Sequence, residues 1–415
     1  MPHLSLGATW QPLCKNAGSE DLMDYLIVLW SLLLSIFAGV PTFYYLYMRQ
    51  CSGRPWNVKK NIEYSPIVTI LVPMHNEENT IGLKLENLAK LNYPKEKLQT
   101  IVVDDSSDDS SVLVVKAFQK SNKTIETELL ENKGPRGKTA SLNLALKHAV
   151  GEIVVVSDAD CFCPSDVLLK SLPFLADPSV GAVTGLEILL NPQETWVTET
   201  ELMYNNVVHS IRIGESKFYS TIIFQGGFGA YRRAILGQFD DETDDSGTAL
   251  SIVQKRARTL LLPEAVYFTI SPKKFTGKVR TKLRRAGHLE RLWLRCLKLF
   301  SEGRLVLPKR ILFPEAFMHL VGPFVFLLLI PTTLLVLLEN YFFSIFLFVL
   351  LIGCTLSRGF RTLTVETIQN QFLLIGAMSS RLLRHNFQLW TGEESSRESL
   401  TREVLESRDL LQSNI

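Results

Sequence analysis

The run from Tyr25 to Met48, YLIVLWSLLLSIFAGVPTFYYLYM, carries no charged side chain and limits the possible folds more than any other feature of the chain. As a helix rising ~1.5 Å per residue it covers the ~30 Å hydrocarbon layer of a bilayer. Acidic residues precede it (Glu20, Asp21, Asp24), and no small-residue cleavage pattern ends it, so it does not read as a secretion signal. Ala316 to Leu338 is a second uncharged run, and the shorter run Tyr341 to Leu356 follows after only Glu339 and Asn340, which together predict a hairpin. Basic residues follow the first run (Arg49, Arg54, Lys59, Lys60), precede the second (Lys309, Arg310) and follow the third (Arg358, Arg361). The positive-inside rule therefore predicts a multi-pass membrane protein. Residues 1–24 lie outside, the spans are 25–48, 316–338 and 341–356, and residues 49–315 and the tail 357–415 are cytosolic.

Between the first span and the hairpin, short β-branched runs alternate with helical patterns: IVTILVP (67–73), LQTIVVDD (98–105), IETELLE (125–131), GEIVVVSDAD (151–160) and GAVTGLEIL (181–189). Continuous apolar strands separated by helices indicate an α/β domain with a mostly parallel sheet, here over residues 60–270. Asn79 is placed to cap the helix TIGLKLENLAKL, and KTASLNLALKHAV repeats its apolar residues at helical spacing. The net charge of +2 gives no basic surplus for nucleic acid, so no nucleic-acid partner is expected. Six cysteines contain no C-x-x-C pair, which argues against a disulfide framework, and the C-x-C at Cys161 and Cys163 is too narrow for a zinc site.

Ligands of parallel sheets bind beyond the carboxyl ends of the strands. The polar clusters VPMHNEEN, DDSSDDSS and SDAD fall there. Neither G-x-G-x-x-G nor G-x-x-x-x-G-K-[ST] occurs, which excludes the common dinucleotide and P-loop sites. Asp158 and Asp160 end a buried strand one residue apart. Two such carboxylates repel unless a cation neutralises them, and a hard divalent ion with oxygen ligands does so while also accepting diphosphate oxygens. D-x-D also occurs in ordinary solvated loops, and the acidic segment DETDDSG (241–247) has the same bland alternative. GGFGAYRRA (226–234) reads as a glycine-rich turn entering a helix.

The pieces ILVPMHNEENTI, IVVDDSSDDS, GKTASLNLAL, VVSDADCFCPSDVLLKSL, GGFGAYRRA and TDDSGTALSIVQK occur in the order found in family-2 glycosyltransferases, and the chain resembles that family over roughly residues 67–260. The family comprises inverting enzymes with the GT-A nucleotide-sugar fold and includes the hyaluronan, chitin and cellulose synthases. The resemblance implies a nucleotide diphosphate sugar as donor, with a UDP-sugar favoured, and Mg²⁺ or Mn²⁺ as cofactor. Pro73, His75, Asn76, Glu77, Asp104 and Asp105 match the nucleotide pocket, and Lys138 matches a lysine near the phosphates. Asp158 and Asp160 match the metal-binding D-x-D, Asp160 as the more direct ligand. Gly227, Phe228 and Gly229 match the acceptor side, and Asp245, with Asp244 beside it, matches the catalytic base.

Where the processive synthases carry Q-x-x-R-W, this chain has Thr281, Arg284 and Arg285. The resemblance then implies that Arg284 holds the diphosphate, and that Arg285, in place of a stacking tryptophan, or His288 meets an anionic lipid phosphate of the acceptor as a cation. The stripe of Leu289, Leu292, Trp293, Cys296 and Phe300 makes 275–312 an amphipathic segment suited to the headgroup layer or to packing on the catalytic domain. IQNQFLLIGAMSSRLL reads as a further interfacial helix, and the charged, serine-rich end as a mobile tail. The expected function is metal-dependent transfer of a sugar to a lipid-linked or polysaccharide acceptor at a membrane. A processive polysaccharide synthase and an inactive nucleotide-sugar-binding relative are the two alternatives.

Overall fold

A computed structural model describes residues 17–192, 194–339, 341–382 and 400–411. The chain begins with a long helix, α1 (Ala17–Ser52), and then enters the α/β domain. β1 (Val68–Met74), α2 (Ile81–Ala89), β2 (Leu98–Asp104), α3 (Ser111–Ser121), β3 (Thr127–Glu131), α4 (Lys138–Leu146), β4 (Ile153–Val156) and α5 (Val167–Leu175) form a βα alternation. β5 (Val180–Leu189), α6 (Trp196–Phe218), β6 (Gly229–Arg232), α7 (Arg233–Leu236), α8 (Asp244–Gln254) and β7 (Arg258–Thr269) complete the sheet and its cover. The sheet has seven strands in the order β3-β2-β1-β4-β6-β5-β7, parallel except where β6 runs against β4 and β5.

Alternating side chains send the two faces of each strand into separate cores. Val68, Ile70 and Val72 of β1 pack with Leu85 and Leu88 of α2 and Val115 of α3, whereas Leu71 joins Ile101, Val103, Val154 and Val156 on the opposite face. That second core also takes in Leu292, Trp293 and Cys296, all fully buried, from α9 (Phe275–Ser301). The amphipathic stripe of α9 is thus turned into the protein, where α9 packs on α8 and on the helices Lys309–Ala316 and Arg358–Leu382. Arg291 and Arg295 on the same helix hold the 240–243 loop, through the Glu242 carbonyl and the Asp240 carboxylate.

The five expected strands all form. β6 and β7 were not legible as strands: β6 has four residues, and β7 contains Pro263. Proline survives there because the pairing with β5 slips between Leu262 and Val266, leaving residues 263–265 in a bulge that requires no ladder donor from Pro263. Residues 229–232 are therefore strand, with only a four-residue helix after them, which corrects the turn-to-helix reading. At the start of α2 the cap position belongs to Thr80, not Asn79, and its hydroxyl bonds the Glu77 carboxylate.

The remaining helices are α10 (Lys309–Ala316), α11 (Gly322–Glu339), α12 (Tyr341–Leu356), α13 (Arg358–Leu382) and α14 (Arg402–Ser407), with a π-helical turn at Phe317–Val321 joining α10 to α11. Among the described residues, two helical stretches are long and apolar enough to cross a membrane, Met23–Ser52 and Lys309–Leu338. The expected third span, Tyr341–Leu356, is a 16-residue helix, which at ~1.5 Å per residue is shorter than the hydrocarbon layer. The interfacial helix expected near 368–383 lies mostly in α13, which packs on α9, α6, α11 and α12. Of the outer segment 1–24 and the tail 357–415, residues 1–16, 383–399 and 412–415 are outside the described residues. Residues 400–411, expected to be a mobile end, dock instead on the catalytic domain.

A buried polar network fastens α1 and α10 to the α/β domain. Arg212 of α6 pairs with Glu215 at 2.8 Å and with Glu315 of α10 at 2.7 Å, while Tyr44 of α1 and Thr221 donate to Glu215. Buried charges of this kind add specificity more than stability, since each was costly to remove from water. They fix how α6 meets the apolar helices. α1 crosses α6 at Gly214, where any Cβ would strike the backbone of Met48. Gly214→Ala is expected to force the two helices apart and lower stability by about 1–3 kcal/mol, read as a fall in the thermal unfolding midpoint of the detergent-solubilised protein. An unchanged midpoint would show that the crossing is not tight.

Candidate active site

Because β1, β2 and β4 run parallel, their carboxyl ends open on one edge of the sheet, and the loops that follow carry the polar clusters. Asn76 (φ 55°) and Ser106 (φ 61°) adopt left-handed conformations at the first two exits, a conformation in which Asn and Ser-type turn residues are met near functional sites. The two loops are tied to each other: the Asn76 N–H donates to the Ser107 hydroxyl at 2.9 Å, the Glu77 N–H to the Ser111 hydroxyl at 2.7 Å, and the Asp108 N–H to the Asn76 side chain at 3.0 Å. Asp104 accepts from the Ser107 N–H. Asp105 accepts from Asn132, from Ser141 and from the Gly137 N–H, at 2.7, 3.0 and 2.8 Å. This carboxylate therefore braces the loop that delivers Lys138 at the start of α4.

Lys138 is the centre of the site. Its ammonium lies 2.8 and 3.1 Å from the two oxygens of Asp158 and 3.3 Å from Asp245 Oδ2, so one cation bridges a strand end and the first turn of α8. Burial by itself would lower the Lys138 pKa, but Asp158, Asp245 and Asp244 outweigh it and hold the group well above the ordinary lysine range. Burial, with Asp160 and Asp245 nearby, pushes Asp158 up to about 6 against the pull of Lys138. Burial and Asp244 likewise raise Asp245, again against Lys138. Asp244 has φ 56° and receives the Thr139 hydroxyl at 3.3 Å. Gly226 lies directly beneath: a Cβ there would collide with Lys138 Nζ and would stand 2.6 Å from Asp245 Oδ2 and 3.1 Å from Asp158 Oδ2.

The residues fit a hard divalent cation. Ligand atoms of Asp158, Asp160 and Cys161 all lie within 4.8 Å of one another. Burial, then Asp160 and Asp158, keep the Cys161 thiol well above its ordinary pKa, so it stays protonated and leaves a donor set of carboxylate oxygens. Lys138 contacts the buried Asp158 Oδ1 outside hydrogen-bonding geometry, which leaves lone pairs on that atom for a ligand.

Two cavities meet at Asp158 and Gly226. The first, about 200 Å³, is lined by Glu77, Asp160 and Gly227 among others, and the second, about 270 Å³, by Lys138, Asp244, Asp245 and His288. Arg284 and Arg285 border both. Pro73, His75, Asn76, Asp104, Asp105, Phe228 and Gly229 do not line either: Pro73 and Phe228 are buried, His75 faces the Asp105 carbonyl and Arg136, and Gly229 packs on Tyr231. The structure adds Gly226 and an ion-pair cluster of Lys278, Lys282, Glu201 and Glu366 that pins α9 to α6 and α13 beside the cavities. Their signal was out of reach in the sequence, since these residues come from three helices up to 165 positions apart (366 − 201). His288 sits 4.0 Å from Asp244, and burial drives its pKa down to about 4, so it is neutral near pH 7 and cannot serve as the cation expected there.

A mostly parallel sheet with a D-x-D at a strand end, a bridging lysine and a buried carboxylate opposite defines a nucleotide-sugar enzyme of the GT-A type. The family model described as glycosyl transferase family 2 matches residues 69–239. The chain is 30% identical to the mannosyltransferase PcManGT of Pyrobaculum calidifontis, whose structure was solved with GDP-Man and Mn²⁺, with a TM-score of 0.74 over 87% of this chain and 100% of that one. It is 32% identical over 151 residues to the beta-monoglucosyldiacylglycerol synthase of a Nostoc species, covering 36% of this chain and 32% of that protein. It is 28% identical over 277 residues to an N-acetylglucosaminyltransferase of Rhizobium meliloti, covering 62% and 63%. The chain spans between about a third and two thirds of the length of these curated relatives. It belongs to glycosyltransferase family 2 and is a glycosyltransferase.

Gly226→Ala is expected to displace Lys138 from both carboxylates and to lower kcat by about 10²-fold, the scale of a 1 Å misplacement, with the unfolding midpoint within a few degrees of wild type. Turnover equal to wild type would show that the bridge is not needed.

Proposed function

We propose that the protein is a membrane-anchored, inverting, metal-dependent glycosyltransferase that moves one sugar from a nucleoside diphosphate sugar to a hydroxyl of a lipid-linked or polysaccharide acceptor. The observation that carries this reading is Lys138 bridging Asp158 and Asp245 above a glycine that admits no side chain. Asp158 and Asp160 would hold Mg²⁺ or Mn²⁺, which would neutralise charge on the donor's diphosphate. Lys138 and Arg284 add positive charge on the same oxygens. Asp245 takes the proton from the acceptor hydroxyl as its oxygen attacks the anomeric carbon. The bond from that carbon to the diphosphate oxygen breaks, its electrons leave with the nucleoside diphosphate, and the anomeric configuration inverts.

The nucleotide is received by the tied loops of residues 75–78 and 104–107 and by the backbone ahead of Lys138. The GDP-Man and Mn²⁺ of the mannosyltransferase support a nucleoside diphosphate sugar and a divalent ion. The acceptor enters the second cavity, beside Asp244 and Asp245. Val208, Ile223, Leu289, Leu373 and Leu374 give that cavity an apolar wall formed by α6, α9 and α13 together with the segment from α6 to β6 at Ile223. An apolar wall next to helices that pack on the candidate spans favours an acceptor with a lipid portion. The glucosyldiacylglycerol synthase named above, whose product is a lipid, supports the same class. Exposed Leu29, Leu32, Phe43 and Leu46 on α1, with Phe324, Leu328 and Leu334 on α11, form the surface that meets the bilayer. The catalytic domain then lies on the cytosolic side, next to Arg49, Arg54 and Lys309.

Membranes carrying the protein, incubated with a panel of GDP- and UDP-sugars, are expected to release nucleoside diphosphate only with Mn²⁺ or Mg²⁺, and a chelator should abolish release. Asp245→Asn should lower kcat by about 10²–10⁴-fold, the usual share of a general base, while nucleotide binding measured by calorimetry is retained. Full turnover by that variant would overturn the assignment of the base. The raised pKa of Asp245 also sets a pH dependence. The base works only ionised, so activity should fall as pH drops through a value above the ordinary carboxylate range. An acid limb of kcat/KM near 4 would contradict it.

A further inference from the structure

Residues 400–411 form a built element. Thr401 caps α14 by accepting the Val404 N–H, and the helix ends in a left-handed Asp409 (φ 56°) with the Leu410 N–H bonded to the Leu405 carbonyl and the Asp409 N–H to the Glu406 carbonyl. That paired closure turns Leu410 and Leu411 back into the protein. Leu400, Leu405, Leu410 and Leu411 pack with Phe162 and Leu190, all of them buried.

Phe162 is two residues beyond Asp160. The loop that holds both aspartates is gripped from behind by α2: Lys84 donates to the Ser157 hydroxyl and the Cys161 carbonyl, both at 2.6 Å. Asn87 accepts from the Cys163 N–H and donates to the Cys163 carbonyl, at 3.0 and 2.9 Å. The other amide hydrogen of Asn87 goes to the Leu410 carbonyl at 2.8 Å. One buried side chain thus ties the tail and the D-x-D loop together, while Arg402 grips Glu86 and Lys90 grips Asp409 on the same helix. Leu400 itself borders the first cavity along with Asp160 and Glu77.

We propose that residues 400–411 are a strap that positions the D-x-D loop for its metal, acting through Asn87 and Phe162 rather than by touching substrate. The proposal rests on the reading that Asp158 and Asp160 bind the donor's metal. Partners one layer behind metal ligands set their orientation, and losing them commonly weakens metal binding by about 10–100-fold. Without the leucines, Phe162 faces water and Asn87 keeps only its two bonds to Cys163, so the loop samples other shapes.

The test uses the full chain with Leu405→Asp and, as a second variant, the chain ended after residue 399. In the metal-free proteins, hydrogen–deuterium exchange should quicken in residues 157–163 and stay unchanged in β1 and β2. Mn²⁺ titrated by electron paramagnetic resonance should bind about tenfold or more weakly, and saturating Mn²⁺ should restore kcat. Unchanged exchange and Mn²⁺ affinity in both variants would overturn the strap, as would faster turnover at unchanged affinity, the mark of an inhibitory cover. Wild-type turnover that ignores a chelator would instead refute the metal reading, and the exchange data on metal-free protein would still decide the coupling.

Discussion

The ammonium of Lys138 between Asp158 and Asp245 is the interaction on which the site depends. Asp245 is buried and Asp158 partly so, and each would be pushed toward its neutral form if left alone. One lysine shared by the two keeps a strand end and a helix N-terminus at a fixed separation, with Gly226 beneath, where a Cβ would collide with Lys138 Nζ. The arrangement carries more negative than positive charge, which suits a centre that receives a divalent cation and a diphosphate. Charge that is unbalanced in the free protein becomes balanced in the complex.

Around this centre the fold works by bracing. Asp105 organises the loop ahead of Lys138, and Asn76, Ser107 and Ser111 tie the first two strand exits together. α9 buries Trp293 and Cys296 in the second core and presents Arg284, Arg285 and His288 to the cavities from its first half. The Arg212–Glu215–Glu315 network and the Gly214 crossing then join that unit to the two helices long enough to cross a membrane. The side chains of the site and the apolar helices are parts of one packed body.

Much of this was legible in the residues. β1 to β5 follow from continuous β-branched runs, the apolar helices from uncharged length, the D-x-D from carboxylates placed where a parallel sheet binds ligands, and Asp245 from the resemblance to family-2 glycosyltransferases. Local patterns fail where the deciding partner is remote. β6 is too short to show a period, and the bulge that tolerates Pro263 depends on β5. The stripe of α9 fits lipid and protein equally well until the helices it packs on are known. The tail reads as polar because its four leucines are spaced among charges, although Thr401 and the Leu400 to Leu411 pattern were the signals of a capped helix.

The sequence by itself determined the periodicities: the strands β1 to β5, the helices between them, the segments long enough to cross a membrane, and the strand ends that carry acid. Those are properties of neighbours along the chain. The tertiary structure decided which acid meets which base. Lys138, Asp158, Gly226 and Asp245 span more than a hundred positions and converge only because β4, α4 and α8 leave the same edge of one sheet. Electrostatic coupling depends on distance through space, and no local spacing encodes it.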